Sequence, residues 1–249
     1  MPGPTRLPQR RPTLVSYLML TLLSFLGFAL CILWVGNANL FLWFNGVGSQ
    51  ITDTTFGVIT TLGDGLFFAL LCVFIFLVDY LGHLRREAGE TIHPMGFRGS
   101  ATTPWFTRGL CLLFGFGLSS AAAQLLKRVV FAEGWMRPRG FFEKAHIAIR
   151  QPIGVEMFSQ NSFPSGHSTT AFCIATLLAF FFPQPRWQVV FLVVAWGVGI
   201  SRVMLGQHFP LDILGGAALG TVCALASRNV FFARRPLQWR RGRIVEHEV

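Results

Sequence analysis

The chain has 249 residues, of which 52% are hydrophobic, 14% aromatic and only 13% charged, with a formal net charge of +10. A mean hydropathy of +0.53 excludes an ordinary water-soluble domain and places the chain in a bilayer. The positive charge invites a nucleic-acid reading, which its distribution along the chain argues against.

Residues 1–12 are expected to form a disordered cytoplasmic tail. Six apolar runs follow, each near the roughly 20 residues that cross about 30 Å of hydrocarbon. The first, Leu14–Val35, follows Arg6, Arg10 and Arg11. It is longer than the roughly 7–15 residues of a signal-peptide core, so it reads as a span and not as a cleaved leader. The second, Phe56–Tyr80, is the weakest, because its purely apolar part, Leu66–Val78, has to be extended back through Thr60, Thr61 and Asp64. Asn39–Thr55 reads as a surface-lying segment before it, with Asn45 and Asp53 in a surface turn. The remaining runs are Trp105–Leu126, Ser165–Phe182, Trp187–Met204 and Leu211–Ala226. The expected fold is all-α and polytopic, with six transmembrane helices in one membrane domain over 13–227 and a basic cytoplasmic tail over 228–249. Cys31, Cys72, Cys111, Cys173 and Cys223 all fall inside runs without metal-ligand spacing, and read as small buried apolar residues.

Orientation accounts for most of the charge. With a cytoplasmic N-terminus, the inner segments carry thirteen arginines, among them Arg85, Arg86, Arg98, Arg186 and Arg228. The outer segments carry six cations: Lys127, Arg128, Arg137, Arg139, Lys144 and Arg150. This is the positive-inside bias, and it puts both termini in the cytoplasm. The stretch Arg234–Arg243 is expected to touch anionic headgroups. His83, His93 and His247 fall on the inner side as solvated residues, and His146 falls in the outer loop.

The same count brings three polar constellations to one side. Lys127 ends the third run and Arg137-Pro138 follows it. Pro164-Ser165-Gly166-His167 opens the fourth, and Ser201-Arg202, His208 and Asp212 lie at the link between the fifth and sixth. Charges near hydrocarbon are costly and usually have a task, and this set can grip and transfer a phosphate. Pro164 suits the first turn of a helix whose free N–H groups and dipole face an anion. Ser165 adds a hydroxyl, and Gly166 admits a ligand close to the backbone. An ordinary helix start, with His167 a bystander, is the competing reading.

His208 and Asp212 are four apart with Pro210 between them, so a helix beginning near Pro210 puts Asp212 at about its third position. A carboxylate there can reach back, as in a capping box, and orient an imidazole. The other nitrogen is then left as nucleophile or base. A plain cap on the last run is the alternative. Asp64 reads equally as a groove-lining carboxylate or a helix-start cap.

These residues resemble the type-2 phosphatidic acid phosphatase superfamily of integral-membrane lipid phosphate phosphatases. Pro164-Ser165-Gly166-His167 is similar to its second motif. Ser201-Arg202, five residues, His208, three residues and Asp212 match the third. The first motif departs, with nine residues between Lys127 and Arg137 where six are usual. The resemblance implies His208 as a nucleophile oriented by Asp212, with His167 as acid and then base. It also implies that Lys127, Arg137, Ser165, Gly166 and Arg202 hold the phosphoryl oxygens, with no metal or cofactor. The implied substrate is a membrane lipid phosphate or pyrophosphate. Undecaprenyl pyrophosphate comes first, then phosphatidylglycerol phosphate or phosphatidic acid, with lipid A phosphatase or lipid-to-lipid phosphotransferase as alternatives. The expected location is a bacterial inner membrane with the site facing the periplasm or exterior. Nucleic acid is not an expected partner, and the sequence does not set the oligomeric state. Two rivals differ in class. A lipid or anion transporter would carry its charges near the midplane, and a zinc hydrolase built on His167, His208 and Asp212 would want a closely spaced histidine pair.

Overall fold

The computed structural model describes residues 14–71, 73, 74, 77, 105–131 and 134–232. The tail over 1–12, Cys72, His83, His93, His247 and Arg234–Arg243 lie outside these residues. All regular structure described is helical. The elements are α1 (Leu14–Val35), α2 (Asn37–Gly46), α3 (Gln50–Thr61), α4 (Gly65–Leu71) and α5 (Trp105–Leu125), then α6 (Pro138–Lys144), α7 (Gly166–Phe181), α8 (Pro185–Met204) and α9 (Pro210–Phe232). A π-helical turn, Leu126–Val130, continues α5.

Four stretches are long and apolar enough to cross a bilayer: Leu14–Val35, Thr107–Val130, Pro185–Met204 and Pro210–Phe232. The helices α3 and α4 make a fifth if taken together across a 49° bend. Among the described residues the 16-residue Gly166–Phe181 is apolar but shorter than these. The second run breaks where its polar residues stand. Thr61 turns its hydroxyl back to the Val58 carbonyl at 2.7 Å, and Asp64 restarts the chain by accepting from Leu66 N–H at 3.2 Å. The segment before it is helical too, because Ser49 and Thr52 form a reciprocal capping box that starts α3.

The centre of the bundle is α7, only 16 residues long and buried along most of its length. It packs on α5, α8 and α9. The approach of α9 is close because of Gly216 and Gly220: a side chain at Gly216 would strike the Ser165 carbonyl, and one at Gly220 the backbone of Thr169 and Cys173. Small residues four apart are how membrane helices bring backbones together. Here the contact sets the start of α7 beside the start of α9. By contrast α1 lies at the periphery, with Leu33 80% and Trp34 92% exposed. An apolar face of that extent is stable in lipid and not in water. The chain is a multi-pass membrane protein.

Asn45 and Asp53 do not form a surface turn; both are buried. Asp53 receives both oxygens' worth of bonding from Arg150 Nη1, at 2.8 and 2.7 Å, and a third bond from Ile153 N–H at 3.0 Å. Asn45 exchanges bonds with the Arg150 backbone at 2.9 and 3.1 Å. Arg150 Nη2 also reaches the Met204 carbonyl at the end of α8 at 3.3 Å. The loop between α6 and α7 is thereby tied to α2, α3 and α8. A carboxylate out of water needs a partner of this kind, and the sequence shows no pattern linking positions about a hundred residues apart.

Candidate active site

The spacing from Arg202 to His208 is a helix C-cap. After Leu205, Gly206 takes φ +69°, a conformation that favours glycine. Gly206 N–H then bonds the Val203 carbonyl at 2.9 Å and Gln207 N–H the Arg202 carbonyl at 2.9 Å, the two bonds of a Schellman motif. His208 N–H joins the same Arg202 carbonyl at 3.2 Å. One turn thus ends α8 and puts His208 beside Arg202 before Pro210 opens α9.

Asp212 is the third residue of α9 and 1% exposed. Its Oδ2 accepts from Phe209 N–H at 2.8 Å and faces His208 Nδ1 at 3.3 Å. The Ser162 hydroxyl donates to the same oxygen. Because the carboxylate only accepts, Nδ1 carries the proton and Nε2 is free. Burial, and after it the charges of Arg137, Lys127, Arg202 and His167, hold the His208 imidazole well below its ordinary pKa. The contact with Asp212 is therefore a hydrogen bond from a neutral ring rather than an ion pair. A neutral imidazole with a free Nε2 is the form that can attack phosphorus.

Helix α7 begins one residue later than the sequence suggests. Ser165 is its N-cap and Gly166 its first residue, so Pro164 precedes the helix instead of forming its first turn. Ser165 Oγ accepts from Ser168 N–H at 3.4 Å and from the Ser168 hydroxyl at 3.0 Å. Ser165 N–H donates to the Asp212 carbonyl at 2.9 Å, which joins the second and third constellations through the backbone. A side chain at Gly166 would meet open space. The first N–H groups of a helix, with its dipole, favour an anion at such a start. The His167 ring lies against Gly63, at the break between α3 and α4. It interacts electrostatically with Arg202, Asp64, Lys127 and Arg137. Asp64 takes the helix-start reading, as cap of α4, and is within electrostatic reach of His167.

The three cations come from different elements. Lys127 sits in the π-helical turn, half-buried, within electrostatic reach of Arg137, Asp212 and Arg202. Arg137 is the residue before α6, with Pro138 as the first helical residue. Its Nε donates to the Gln160 carbonyl at 2.9 Å, its Nη1 to Gln207 Oε1 at 3.0 Å, and its guanidinium lies over Phe158. Arg202 Nη1 donates to Thr60 Oγ1 at 2.9 Å, while its buried Nε has no protein acceptor. An orphaned, desolvated donor is costly unless a ligand meets it. Of the other cations in this segment, Arg139 pairs with Glu143 and Arg150 with Asp53. Among the described residues, no three His, Cys, Asp or Glu side chains group as a metal site.

The arrangement gathers Lys127, Arg137, Ser165, Gly166, His167, Arg202, His208 and Asp212 at one end of the bundle. Sequence reasoning missed Ser162, Gln207 and Gly206. Only the glycine, placed just past an apolar run, carried a local signal.

Residues 108–236, just over half of the chain and the part that holds all of these groups, match the PAP2 superfamily, and the chain belongs to it. A lipid A 1-phosphatase of Rhizobium johnstonii is 37% identical over 123 residues, 49% of this chain and 48% of that protein. An undecaprenyl-diphosphatase of Sulfolobus acidocaldarius is 27% identical over 122 residues, 49% of this chain and 54% of that one. The chain spans about half the length of these relatives. The crystal structure of a PAP2-type phosphatidylglycerolphosphate phosphatase from Bacillus subtilis is similar with a TM-score of 0.59. It is 25% identical, covering 88% of this chain and 98% of that one.

Proposed function

We propose that the chain is a membrane lipid phosphatase that hydrolyses a phosphomonoester or pyrophosphate through a phosphohistidine on His208. The observation that carries this reading is the pairing of His208 Nδ1 with Asp212 Oδ2 at 3.3 Å, beneath three cations on separate elements. His208 Nε2 attacks phosphorus as the bond to the lipid oxygen breaks, and that oxygen takes a proton from His167. A water then returns a proton to His167 and attacks the phosphorus, so the P–N bond breaks and inorganic phosphate leaves. Lys127, Arg137, Arg202, the Ser165 hydroxyl and the N–H groups at Gly166 hold the phosphoryl oxygens. Phosphoryl transfer depends chiefly on such positioning and charge, and this set supplies it without a metal.

The site lies at the outer membrane–water interface of a bacterial plasma membrane, with both termini cytoplasmic. The bent α3–α4 pair and the short α7 then count as spans, six in all. The thirteen-to-six distribution of cations supports this orientation. A cysteine replacing Ile153, which is 65% exposed, reacts with an impermeant thiol reagent from outside; labelling only from the cytoplasm contradicts it.

The substrate is a lipid phosphate or pyrophosphate whose headgroup meets the cations while its chain stays in the bilayer. Undecaprenyl pyrophosphate and lipid A 1-phosphate come first, since relatives carry those names, followed by phosphatidylglycerol phosphate and phosphatidic acid. Purified protein in detergent releases phosphate from these lipids with a chelator present, and competition among them ranks the substrates. Activity lost to the chelator and restored by zinc contradicts the metal-free reading.

A further inference from the structure

Gln207 lies between His208 and Arg137, at one of the five positions of the third motif whose residue type the motif leaves open. The residue is 2% exposed. Oε1 accepts from Arg137 Nη1 at 3.0 Å, and the Gln207 carbonyl accepts from the same nitrogen at 3.4 Å. Nε2 donates to the Glu156 carbonyl at 2.7 Å, and the Gln207 N–H donates to the Arg202 carbonyl at 2.9 Å. The carboxamide can be oriented in only one way, because a guanidinium only donates and a carbonyl only accepts.

We infer that Gln207 is a positioning residue that holds the Arg137 guanidinium for the transferring phosphoryl group. Arg137 hangs from the loop before α6, and a long side chain there has many rotamers to lose before it can bind. Gln207 and the Gln160 carbonyl take its Nη1 and Nε, which fixes the plane of the guanidinium and leaves Nη2 for a ligand. A neutral acceptor is suited to this. A glutamate at 207 would hold the same nitrogen but neutralise the charge that meets the phosphate. It would also leave the Glu156 carbonyl without a donor. Because Gln207 directly precedes His208 in the Schellman turn, the contact sets Arg137 in register with the nucleophile itself.

The inference rests on the proposed phosphatase reading, and the test separates the two. Phosphate release from dioctanoyl phosphatidate is measured for the wild type, Arg137→Ala, Gln207→Leu and the double variant, with melting temperatures for each. If the wild type is inactive on every lipid phosphate above, the reading of the activity fails first. Given an active wild type, Gln207→Leu lowers kcat at least tenfold with KM within threefold. In the Arg137→Ala background the same change alters kcat less than twofold, because its effect passes through Arg137. A merely structural role gives equal losses in both backgrounds, and that result overturns the inference, as does wild-type kcat in Gln207→Leu. Should Gln207→Leu not fold, Gln207→Glu keeps the shape and the acceptor. It is expected to lose at least tenfold in kcat, and wild-type kcat in that variant overturns the inference equally.

Discussion

Ser162 and His208 share one oxygen: the serine hydroxyl donates to Asp212 Oδ2, the atom that faces the imidazole Nδ1 at 3.3 Å. Phe209 N–H completes the set at 2.8 Å. The carboxylate is therefore held from three directions, and its freedom to turn away from His208 is small.

Removing the Ser162 hydroxyl loosens that hold and leaves the His208 ring, the proposed nucleophile, in place. A hydrogen bond to a charged group is worth roughly 1.5–3 kcal/mol. Ser162→Ala should lower kcat by about ten- to a hundredfold, with little change in KM. Steady-state kinetics on one lipid phosphate check this, and an unchanged kcat contradicts it.

The two glycines that seat α9 on α7 should answer differently from Gly166, the glycine proposed to meet phosphate. Gly220→Ala forces a methyl against the α7 backbone and should destabilise the protein by about 1–3 kcal/mol. Gly166→Ala adds its methyl to open space, so its melting temperature stays near wild type while phosphate release falls. Equal melting temperatures for the two variants would contradict the packing account.

Asp53 and Arg150 form a buried pair whose side chains are 4% and 25% exposed. Asp53→Ala strands the Arg150 guanidinium beneath the loop between α6 and α7 and should cost about 3–5 kcal/mol, read as a lower melting temperature. The loop carries the carbonyls that receive Arg137 and Gln207, so activity falls with it. A melting temperature equal to wild type contradicts the loop's attachment through this pair.

The depressed pKa of His208 gives a stability that depends on pH with a definite sign. Below the unfolded value of about 6.5 the unfolded chain takes up a proton that the folded site refuses, so stability is lost as pH falls; above it the group contributes nothing. One pH unit below that value the loss from this residue reaches about 1.4 kcal/mol. His208→Asn, which cannot titrate, should lose less melting temperature between pH 7.5 and 5.5 than the wild type does. An equal loss in both proteins contradicts the neutral, buried imidazole.

Four of the spans and the pairing of His208 with Asp212 were legible because their signals are local. Apolar runs of span length, and Pro210 fixing a helix start three residues before the helix reaches full turn, placed Asp212 opposite His208. The break at Leu62–Asp64 was half legible: Thr60, Thr61 and Asp64 marked the second run as weak, but the bend depends on α4 leaving α3 at 49°. The roles of Asn45, Asp53, Ser162 and Gln207 were not legible. Each is satisfied by a partner remote in sequence, and single polar residues carry no periodicity that would announce such a partner. Pro164 misled, because Ser165 is the stronger N-cap and claims the helix start.

The central claim is that the phosphoryl group passes through His208. Acid-stable side reactions aside, rapid quench of the enzyme with a lipid substrate labelled in its phosphoryl group, under alkaline conditions that preserve phosphohistidine, tests it most directly. The account predicts label on a single peptide at His208, lost on acidification, with neither label nor phosphate release from His208→Ala. Full activity in His208→Ala, or label residing on another residue, would contradict it.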